Sequence, residues 1–286
     1  MSKETLTIPS MFQCIAAEYP NRLAIQVKEG ETWHRWTYKE LETDVLKVAE
    51  FLLQAGLKKG DFICLVLENR PQWPIVYLGI MRAGLSCIPI DAQLSSHELL
   101  NFIQDSGAMA AFTSKEIFTK RFTPEIQSHL KKIVVLGGDD LKEDKVVSFS
   151  ECLKRSNPRQ VWPQVAAEDI ASLIYTSGVT GQPKGVMLTH KNLCSNSQSI
   201  LKMKLLTPND NFIAVLPFHH TYPFMTNFIV PLLSGGTTTF CPVGFKAQDL
   251  ADLMREAKIT ILVGVPQLFA LLARNGPPSQ TRKAPR

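Results

Sequence analysis

Short apolar runs typical of β-strands alternate with segments of helical spacing along most of this chain. Residues 62–67 (FICLVL) form an unbroken apolar run, residues 71–83 show helical spacing up to Gly84, and a second apolar run follows at residues 87–90. Runs without polar alternation suit parallel strands that are buried on both faces. The alternation therefore predicts an α/β fold of stacked, mostly parallel sheets flanked by helices, with right-handed crossovers.

Local signals set the bounds of the predicted elements. Thr37 precedes a helical pattern and Glu40 follows three residues later, which predicts a capping box at the start of a helix. Strands are predicted at residues 23–27, 31–38, 62–67, 87–90, 109–113, 133–136, 173–176, 186–188, 212–216, 237–241 and 260–265. Helices are predicted after residue 37 and at residues 71–83, 96–105, 124–131, 191–204, 226–233, 247–258 and 266–274.

Composition and charge limit the function classes. With 45% apolar and 20% charged residues, the chain has the composition of a globular protein. Its net charge of +5 is ordinary for solubility, and the basic residues are not clustered as nucleic-acid binding requires. We therefore expect small anionic partners rather than nucleic acid.

The cysteines and the termini bear on the compartment. No two cysteines have metal-ligand spacing, so we expect no protein metal site, and a disulfide framework is not expected in a chain of this size. The six are Cys14, Cys64, Cys87, Cys152, Cys194 and Cys241. The N-terminus lacks the apolar core of a signal peptide, and the apolar stretch 259–273 is too short to span a bilayer. A cytoplasmic protein without a transmembrane segment is predicted, and peripheral membrane contact stays open.

The stretch YTSGVTGQPKGVMLTH, residues 175–190, is a polar, glycine-rich loop between two apolar segments. Glycines let backbone N–H groups approach an anion closely, hydroxyl groups add donors, and a lysine adds a mobile positive charge. This composition predicts a site for a nucleotide's phosphates, whereas a hairpin turn without a ligand is the alternative. The Gly-Lys-Ser/Thr order of the P-loop is absent. The predicted phosphate-binding residues are Thr176, Ser177, Gly178, Val179, Thr180, Gly181 and Lys184.

The same string closely resembles the signature loop of the adenylate-forming (AMP-binding) enzymes, which include the acyl-CoA synthetases. Val179 stands where that family usually has Ser or Thr, so one hydroxyl donor is lost. Loss of a hydrogen bond to a charged group costs roughly 1.5–3 kcal/mol when that donor matters. The departure bears on ATP affinity rather than on the identity of the loop.

Further segments resemble the family in the expected order, over about residues 8–274. They are residues 36–41 (WTYKEL), 69–73 (NRPQW), 81–84 (MRAG), 88–91 (IPID), 216–220 (LPFHH) and 263–269 (VGVPQLF). The last of these is most similar to the version in long-chain fatty acyl-CoA synthetases. The resemblance implies the incomplete large N-terminal domain of an adenylate-forming enzyme.

The implied reaction is ATP-dependent activation of a carboxylic acid, expected to be a medium- or long-chain fatty acid, to an acyl-adenylate and then to acyl-CoA. ATP, Mg²⁺ and coenzyme A are the implied cofactors and co-substrates. By the resemblance, His220, Tyr222, Phe224 and Gly264 border the acyl channel. From the residues alone, the histidine pair is more simply explained as a surface turn. His190 is expected to cap the next helix.

Several family elements have no counterpart here: the Thr-Glu pair of the magnesium-binding glutamate, the Thr-Gly-Asp ribose segment and the C-terminal domain with its catalytic lysine. We therefore expect residues 1–274 to be a partial N-terminal AMP-binding domain, residues 275–286 a disordered tail, and the chain a truncated and inactive part of an acid–thiol ligase. Two alternatives stay open: a non-catalytic nucleotide- or acyl-binding scaffold protein, and an adenylation domain that loads a carrier protein.

Overall fold

A computed structural model of the protein describes residues 6–154, 161–176, 184–242 and 249–275, and the strands of these residues form two sheets. The strands are β1 (Leu23–Glu29), β2 (Thr32–Thr37), β3 (Phe62–Val66), β4 (Ser86–Ile90), β5 (Ala110–Ser114), β6 (Lys132–Leu136), β7 (Val146–Ser148), β8 (Ile170–Thr176), β9 (Lys184–Thr189), β10 (Asn211–Ala214) and β11 (Thr237–Phe240).

Helices connect and cover these strands. They are α1 (Ile8–Glu18), α2 (Tyr38–Gln54), α3 (Gln72–Arg82), α4 (Ser96–Ser106), α5 (Lys115–Arg121), α6 (Pro124–His129), α7 (Phe149–Lys154), α8 (His190–Lys202), α9 (Thr221–Pro223), α10 (Val230–Leu233), α11 (Leu250–Glu256) and α12 (Pro266–Asn275). A π-helical segment, Phe224–Ile229, joins α9 to α10. None of the helices in the described ranges combines the length and the apolar character needed to cross a membrane.

The two sheets are predominantly parallel. The smaller has the strand order β10-β11-β1-β2 and the larger β7-β6-β5-β3-β4-β8-β9. Within both sheets only the pairs β1–β2 and β8–β9 are antiparallel. Each antiparallel pair puts a hairpin strand at the edge of its sheet, as expected for sheets built otherwise from crossover connections.

Helices lie between the sheets and on both outer faces. Along β3, Ile63 and Leu65 pack into the cluster that holds α1, α2 and α3 and reaches the smaller sheet. Cys64 and Val66 point to the other face, where α4, α5 and α6 pack. A third cluster joins the smaller sheet to α11 and α12. This layering confirms the predicted α/β fold, because strands covered on both faces need continuous apolar sequence.

The capping box of α2 is also confirmed. The Thr37 Oγ1 accepts a hydrogen bond from the Glu40 N–H at 3.3 Å, and the Thr37 N–H donates to the Glu40 carboxylate at 2.8 Å. The Glu40 N–H lies in the first turn and has no acceptor within the helix, and the Thr37 N–H lies directly before the helix. Both groups gain a hydrogen-bond partner through the capping box.

Some predicted elements were wrong or missed. Residues 260–265 form no strand: Ile261 makes one isolated parallel bridge to Phe212, and Gly264 and Pro266 follow it. Other elements escaped prediction. They are the short elements α5, α7 and β7, and also α1, although its apolar residues Ile8, Met11, Phe12 and Ile15 do have helical spacing. The predicted tail lies outside the described residues except for Asn275, the last residue of α12.

His190 does not cap α8, contrary to prediction. Thr189 occupies the cap position, and its hydroxyl accepts a hydrogen bond from the Asn192 N–H at 3.2 Å. His190 is only 1% exposed, and its Nδ1 accepts a hydrogen bond from the Ile8 N–H at 3.3 Å, which ties α1 to α8. Burial lowers the pKa of His190 to about 4, against a smaller opposing effect of Asp169.

We predict that this buried histidine makes stability pH-dependent. Its folded-state pKa lies below its unfolded value, so the unfolded chain binds a proton first and stability falls as the pH drops from 6.5 towards 4. At pH 5 the group alone should lower the free energy of unfolding by about 2 kcal/mol relative to pH 7.5. Urea unfolding of the wild type and of His190→Asn at both pH values measures this effect.

His97 provides the control, because it is exposed on α4. The variant His97→Asn should keep the wild-type pH dependence, whereas His190→Asn should lose most of the difference between pH 7.5 and 5. An equal pH dependence in His190→Asn and the wild type would contradict the prediction.

Candidate functional site

A cleft of about 480 Å³ opens where carboxyl ends of parallel strands from both sheets meet. Polar groups gather there because a strand buried on both faces can expose side chains only where it ends. The lining residues follow β3, β4, β10 and β11 in the chain. They are Leu67, Glu68, Asn69, Asp91, Ala92, Gln93, Ala214, Val215, Pro217, His219, His220, Cys241 and Pro242.

Asn69 links the two sides of the cleft. Its Nδ2–H donates to the Leu216 carbonyl at 2.7 Å, and its Oδ1 accepts from the Phe218 N–H at 3.0 Å. Asn69 follows a strand of the larger sheet, whereas the segment it holds follows a strand of the smaller sheet. The backbone that carries the two histidines is therefore fixed across the cleft.

Aromatic side chains close the space behind the cleft. Trp73 of α3 packs edge to face on Phe218 and Phe228, with ring centroids 5.2 Å apart in both pairs. Phe224 lies in the same cluster, 5.2 Å from the Tyr77 ring, and is fully buried. In this arrangement the predicted channel residue Phe224 contributes to the core between the sheets.

His219 and His220 form the polar wall on the side of β10. Their Nε2 atoms lie 3.1 Å apart, and the His219 Nε2 is 3.7 Å from the Asp91 carboxylate. Burial lowers the pKa of His219, Asp91 opposes that effect, and His220 adds to it. The lowered pKa favours the uncharged imidazole of His219, which can supply one N–H donor and one nitrogen acceptor.

The opposite wall carries carboxylates. Glu68 accepts a hydrogen bond through Oε1 from the Ser114 hydroxyl at 3.4 Å, while its buried Oε2 has no hydrogen bond within the described residues and lies 4.0 Å from the Arg70 guanidinium. Cys241 also lines the cleft, and burial raises the pKa of its thiol to about 12. The thiol is therefore protonated at neutral pH and unsuited to nucleophilic attack.

The predicted phosphate loop begins and ends beside this cleft. Thr176 ends β8, which runs parallel to β4, so it lies at the same sheet edge as Asp91. Thr176 pairs with Lys184 across the hairpin, its Oγ1 donates to the Lys184 carbonyl at 3.5 Å, and both residues are exposed. The other predicted loop residues, Ser177, Gly178, Val179, Thr180 and Gly181, lie outside the described residues.

Tyr175 anchors the base of the loop. Its ring stacks on Phe102 of α4 with centroids 4.3 Å apart, and its hydroxyl donates to the Asp105 carboxylate at 2.5 Å. Burial and this neighbouring carboxylate raise the pKa of Tyr175, so the phenol stays protonated as a donor. The start of the loop is thereby tied to a helix on the outer face of the larger sheet.

The remaining predicted substrate residues, Tyr222 and Gly264, are not among the residues that line the cleft. Tyr222 is 52% exposed in α9, immediately after the histidines. Ile261 makes a parallel bridge to Phe212, and Gly264 follows three residues later. Because the two segments run in the same direction, Gly264 lies towards the end of β10 that Val215 follows, and Val215 lines the cleft. A Cβ on Gly264 would lie 2.9 Å from the Leu268 Cδ2, so the glycine permits close packing of α12.

Of the residues that line the cleft, sequence reasoning singled out His220 as a site residue, and it missed the polar residues Glu68, Asn69, Asp91, Gln93 and His219. Glu68 and Asn69 are polar residues directly after a buried apolar strand, a pattern that marks the ligand-binding edge of parallel sheets. That signal was available in the sequence. The hydrogen bonds of Asn69 to another segment 147 and 149 residues away were not.

Comparison with known proteins gives the family. The sequence matches the AMP-binding enzyme family over residues 12–286. It is 29% identical to the long-chain-fatty-acid–CoA ligase of Salmonella typhimurium, covering 94% of this chain and 52% of that protein. The chain spans about half the length of the curated relatives it matches.

Solved structures agree on the architecture. A long-chain-fatty-acid CoA ligase structure from Rhodopseudomonas palustris superposes with a TM-score of 0.84 over 96% of this chain and 67% of that one, and its 19% identity shows a shared fold alone. ATP-bound MatB from the same organism is 27% identical, with a TM-score of 0.78 over 93% of this chain and 51% of that one. With most of its length matched to one family, the chain belongs to the AMP-binding enzymes.

Proposed function

We propose that this chain carries the phosphate loop and one wall of the carboxylate site of an ATP-dependent acid–thiol ligase. The proposal rests on where the two ends of the loop lie. Thr176 ends β8 and Lys184 begins β9, at the same end of the larger sheet as Asp91, which follows β4 and lines the cleft. A nucleotide whose phosphates occupy the loop would direct its α-phosphate towards a carboxylic acid in the cleft.

The reaction proposed has two steps. A carboxylate oxygen of the acid attacks the α-phosphorus of ATP, a new O–P bond forms, and the bond to the β-phosphate oxygen breaks with release of pyrophosphate. The sulfur of a thiol then attacks the acyl carbon, the thiol loses its proton, and AMP leaves. Both steps depend on positioning and charge neutralisation more than on covalent participation of the protein.

On the phosphate side, the exposed Lys184 supports the proposal. Its side chain carries a mobile positive charge at the loop's end, and no ion pair is found for it within the described residues. Loop hydroxyls and amides, Thr176 among them, would hold the β- and γ-phosphates. Lys184 would then neutralise the charge that pyrophosphate gains as it leaves.

On the carboxylate side, the two walls of the cleft differ in charge. Glu68 and Asp91 repel an anion from the β3–β4 side, whereas His219 and His220 offer imidazole groups on the β10 side. A substrate carboxylate would therefore approach His220, with Tyr222 at the rim and the acyl chain extending towards Gly264.

Mg²⁺ and coenzyme A would enter with the substrates. Among the described residues, no group of three or more histidine, cysteine, aspartate or glutamate side chains is arranged to hold a metal. We assign no residue and no step to such an ion. We likewise assign no residue to coenzyme A.

For the substrate class, we propose a medium- or long-chain fatty acid. The segment 263–269 resembles long-chain fatty acyl-CoA synthetases, and a relative from Salmonella typhimurium bears that activity in its name. Relatives named for 4-coumarate and for crotonobetaine or carnitine match similarly well, which keeps the acid itself a matter for experiment.

We predict that Lys184 governs phosphate affinity. In the variant Lys184→Gln, the dissociation constant for inorganic pyrophosphate should rise roughly 10- to 100-fold, the effect of losing one hydrogen bond between charged groups. Calorimetric titration of the 286-residue chain measures this constant. Lys202→Gln, at the exposed end of α8, should bind pyrophosphate as the wild type does. Equal affinity in all three proteins would refute the assignment.

We also predict that Gly264→Trp blocks long acyl chains. A Cβ at this position would already meet the Leu268 side chain at 2.9 Å, so an indole there should displace α12 side chains into the path proposed for the chain. Decanoate binding should then be lost while acetate and pyrophosphate binding persist. Titration with each ligand, alongside a melting curve to confirm folding, makes the comparison. Undiminished decanoate binding in a folded Gly264→Trp variant would show that the acyl chain does not pass this residue.

Carboxylate-dependent exchange of labelled pyrophosphate into ATP tests catalysis directly. The family's magnesium-binding glutamate and adenylation lysine have no counterpart in the sequence, so we expect the 286-residue chain to bind nucleotide without measurable exchange. Robust exchange would overturn that expectation and establish adenylation by these residues alone. Transfer of a labelled acyl group to a carrier protein, but not to coenzyme A, would favour the carrier-loading alternative.

A further inference from the structure

One side chain fastens the histidine-bearing segment to the opposite sheet. After β10 the chain passes through Leu216 and Phe218 without a strand partner, and the Asn69 amide bonds to the backbone of both residues. These two hydrogen bonds, at 2.7 and 3.0 Å, satisfy one carbonyl and one N–H that the sheet does not pair. Asn69 itself comes three residues after β3 ends at Val66, so the link spans the boundary between the sheets.

The chemistry of the amide suits this role. Asparagine has a donor and an acceptor on the same planar group, so it can serve a carbonyl and an N–H two residues apart. An aspartate could accept from Phe218 but could not donate to Leu216. An alanine would leave both backbone groups without this partner.

The same segment is also held by the side chain of Phe218. Phe218 is 1% exposed, and its ring packs against the Trp73 side chain. The backbone N–H of Trp73 donates to the Arg70 carbonyl at 2.9 Å. Backbone and side chain of Phe218 are therefore both fixed by the segment that follows β3. Because His219 is the next residue, the direction in which its ring enters the cleft follows from this attachment.

The two imidazole rings lie close to each other and to the Asp91 carboxylate. The His219 Nε2 lies between the Asp91 carboxylate, 3.7 Å away, and the His220 Nε2, 3.1 Å away, and the ring centroids are 4.1 Å apart. A small displacement of the backbone at Phe218 would separate these groups. Contacts of this length depend on a fixed backbone, since hydrogen bonds weaken steeply with distance and angle.

We infer that Asn69 is a positioning residue, which sets the placement of His219 and His220 in the cleft wall and thereby the affinity of the cleft for a carboxylate. The second part of the inference, which concerns the affinity of the cleft for a carboxylate, rests on the proposed function. The first part, the placement of the rings, can be tested without any ligand.

The test is histidine side-chain NMR of the full 286-residue chain, with signals assigned through His219→Gln and His220→Gln. In Asn69→Ala, the signals of His219 and His220 should shift, because rings 4.1 Å apart and tilted by 52° alter each other's resonance and this arrangement would change. The remaining histidines should keep their wild-type shifts. Unmoved His219 and His220 signals in folded Asn69→Ala would overturn the inference.

Asn211 offers a matched control. Its Nδ2–H donates to the Ala257 carbonyl at 2.7 Å and its Oδ1 accepts from the Thr239 hydroxyl at 2.8 Å, at the opposite end of β10. Asn211→Ala should lower the melting temperature much as Asn69→Ala does, yet leave both histidine signals in place. If it moves them equally, the effect is general loosening and the inference is wrong.

A second variant covers the case in which Asn69→Ala does not fold. Asn69→Asp keeps the acceptor for the Phe218 N–H and loses the donor to Leu216, so it should also shift the two signals. Wild-type spectra in folded Asn69→Asp would count against the inference in the same way.

Decanoate addition separates the inference from the proposed function. Decanoate should shift the His220 signal of the wild type, and Asn69→Ala should raise its dissociation constant by about tenfold. If decanoate leaves the wild-type signals unchanged, the carboxylate role fails, while the ligand-free spectra still decide the placement of the rings. If decanoate binds both proteins equally, Asn69 does not set affinity.

Discussion

Strands buried on both faces are the constraint on which the rest of this structure depends. In β3, Ile63 and Leu65 face the helices between the sheets, and Cys64 and Val66 face the outer helices. Such strands have no solvated face on which a polar side chain can stand without a desolvation cost. Charged and hydrogen-bonding groups therefore collect where the strands end, and parallel strands bring those ends to one edge. The cleft is a consequence of the layering as much as of its own residues.

The two sheets must also be held in a fixed position relative to each other. Each sheet is ordered internally by its hydrogen bonds, but the relative position of the sheets depends on side chains between them. The aromatic cluster around Trp73 joins the sheets by apolar packing, which constrains their relative orientation little. The two hydrogen bonds of the Asn69 amide require a defined geometry between the segments that they join. Nonpolar packing and a pair of directional bonds thus act on the same segment, the one that leads to the histidines.

Much of the fold could be predicted because its signals are local. The capping box at Thr37 and the apolar runs of the central strands involve neighbouring residues, and both predictions were confirmed. The failure at residues 260–265 has a non-local cause, because among these residues hydrogen bonds to β10 are made by Thr260 and Ile261, and the pairing does not continue beyond them within the described residues. For the site, the resemblance supplied His220 and the loop, and their roles stay predictions. The Asn69 link depends on two segments far apart in sequence, which periodicity cannot relate.

The hairpin of β8 and β9 has a consequence for how this site can change over evolution. Thr176 and Lys184 pair as neighbours across it, and Tyr175 is fastened to α4, so the sheet's register is set before and after residues 177–183. Because these contacts all lie in the flanking strands and in α4, the pairing of β8 with β9 can persist when residues between the two strands change. Sequence changes among descendants of one ancestor can therefore accumulate between the strands without loss of their pairing.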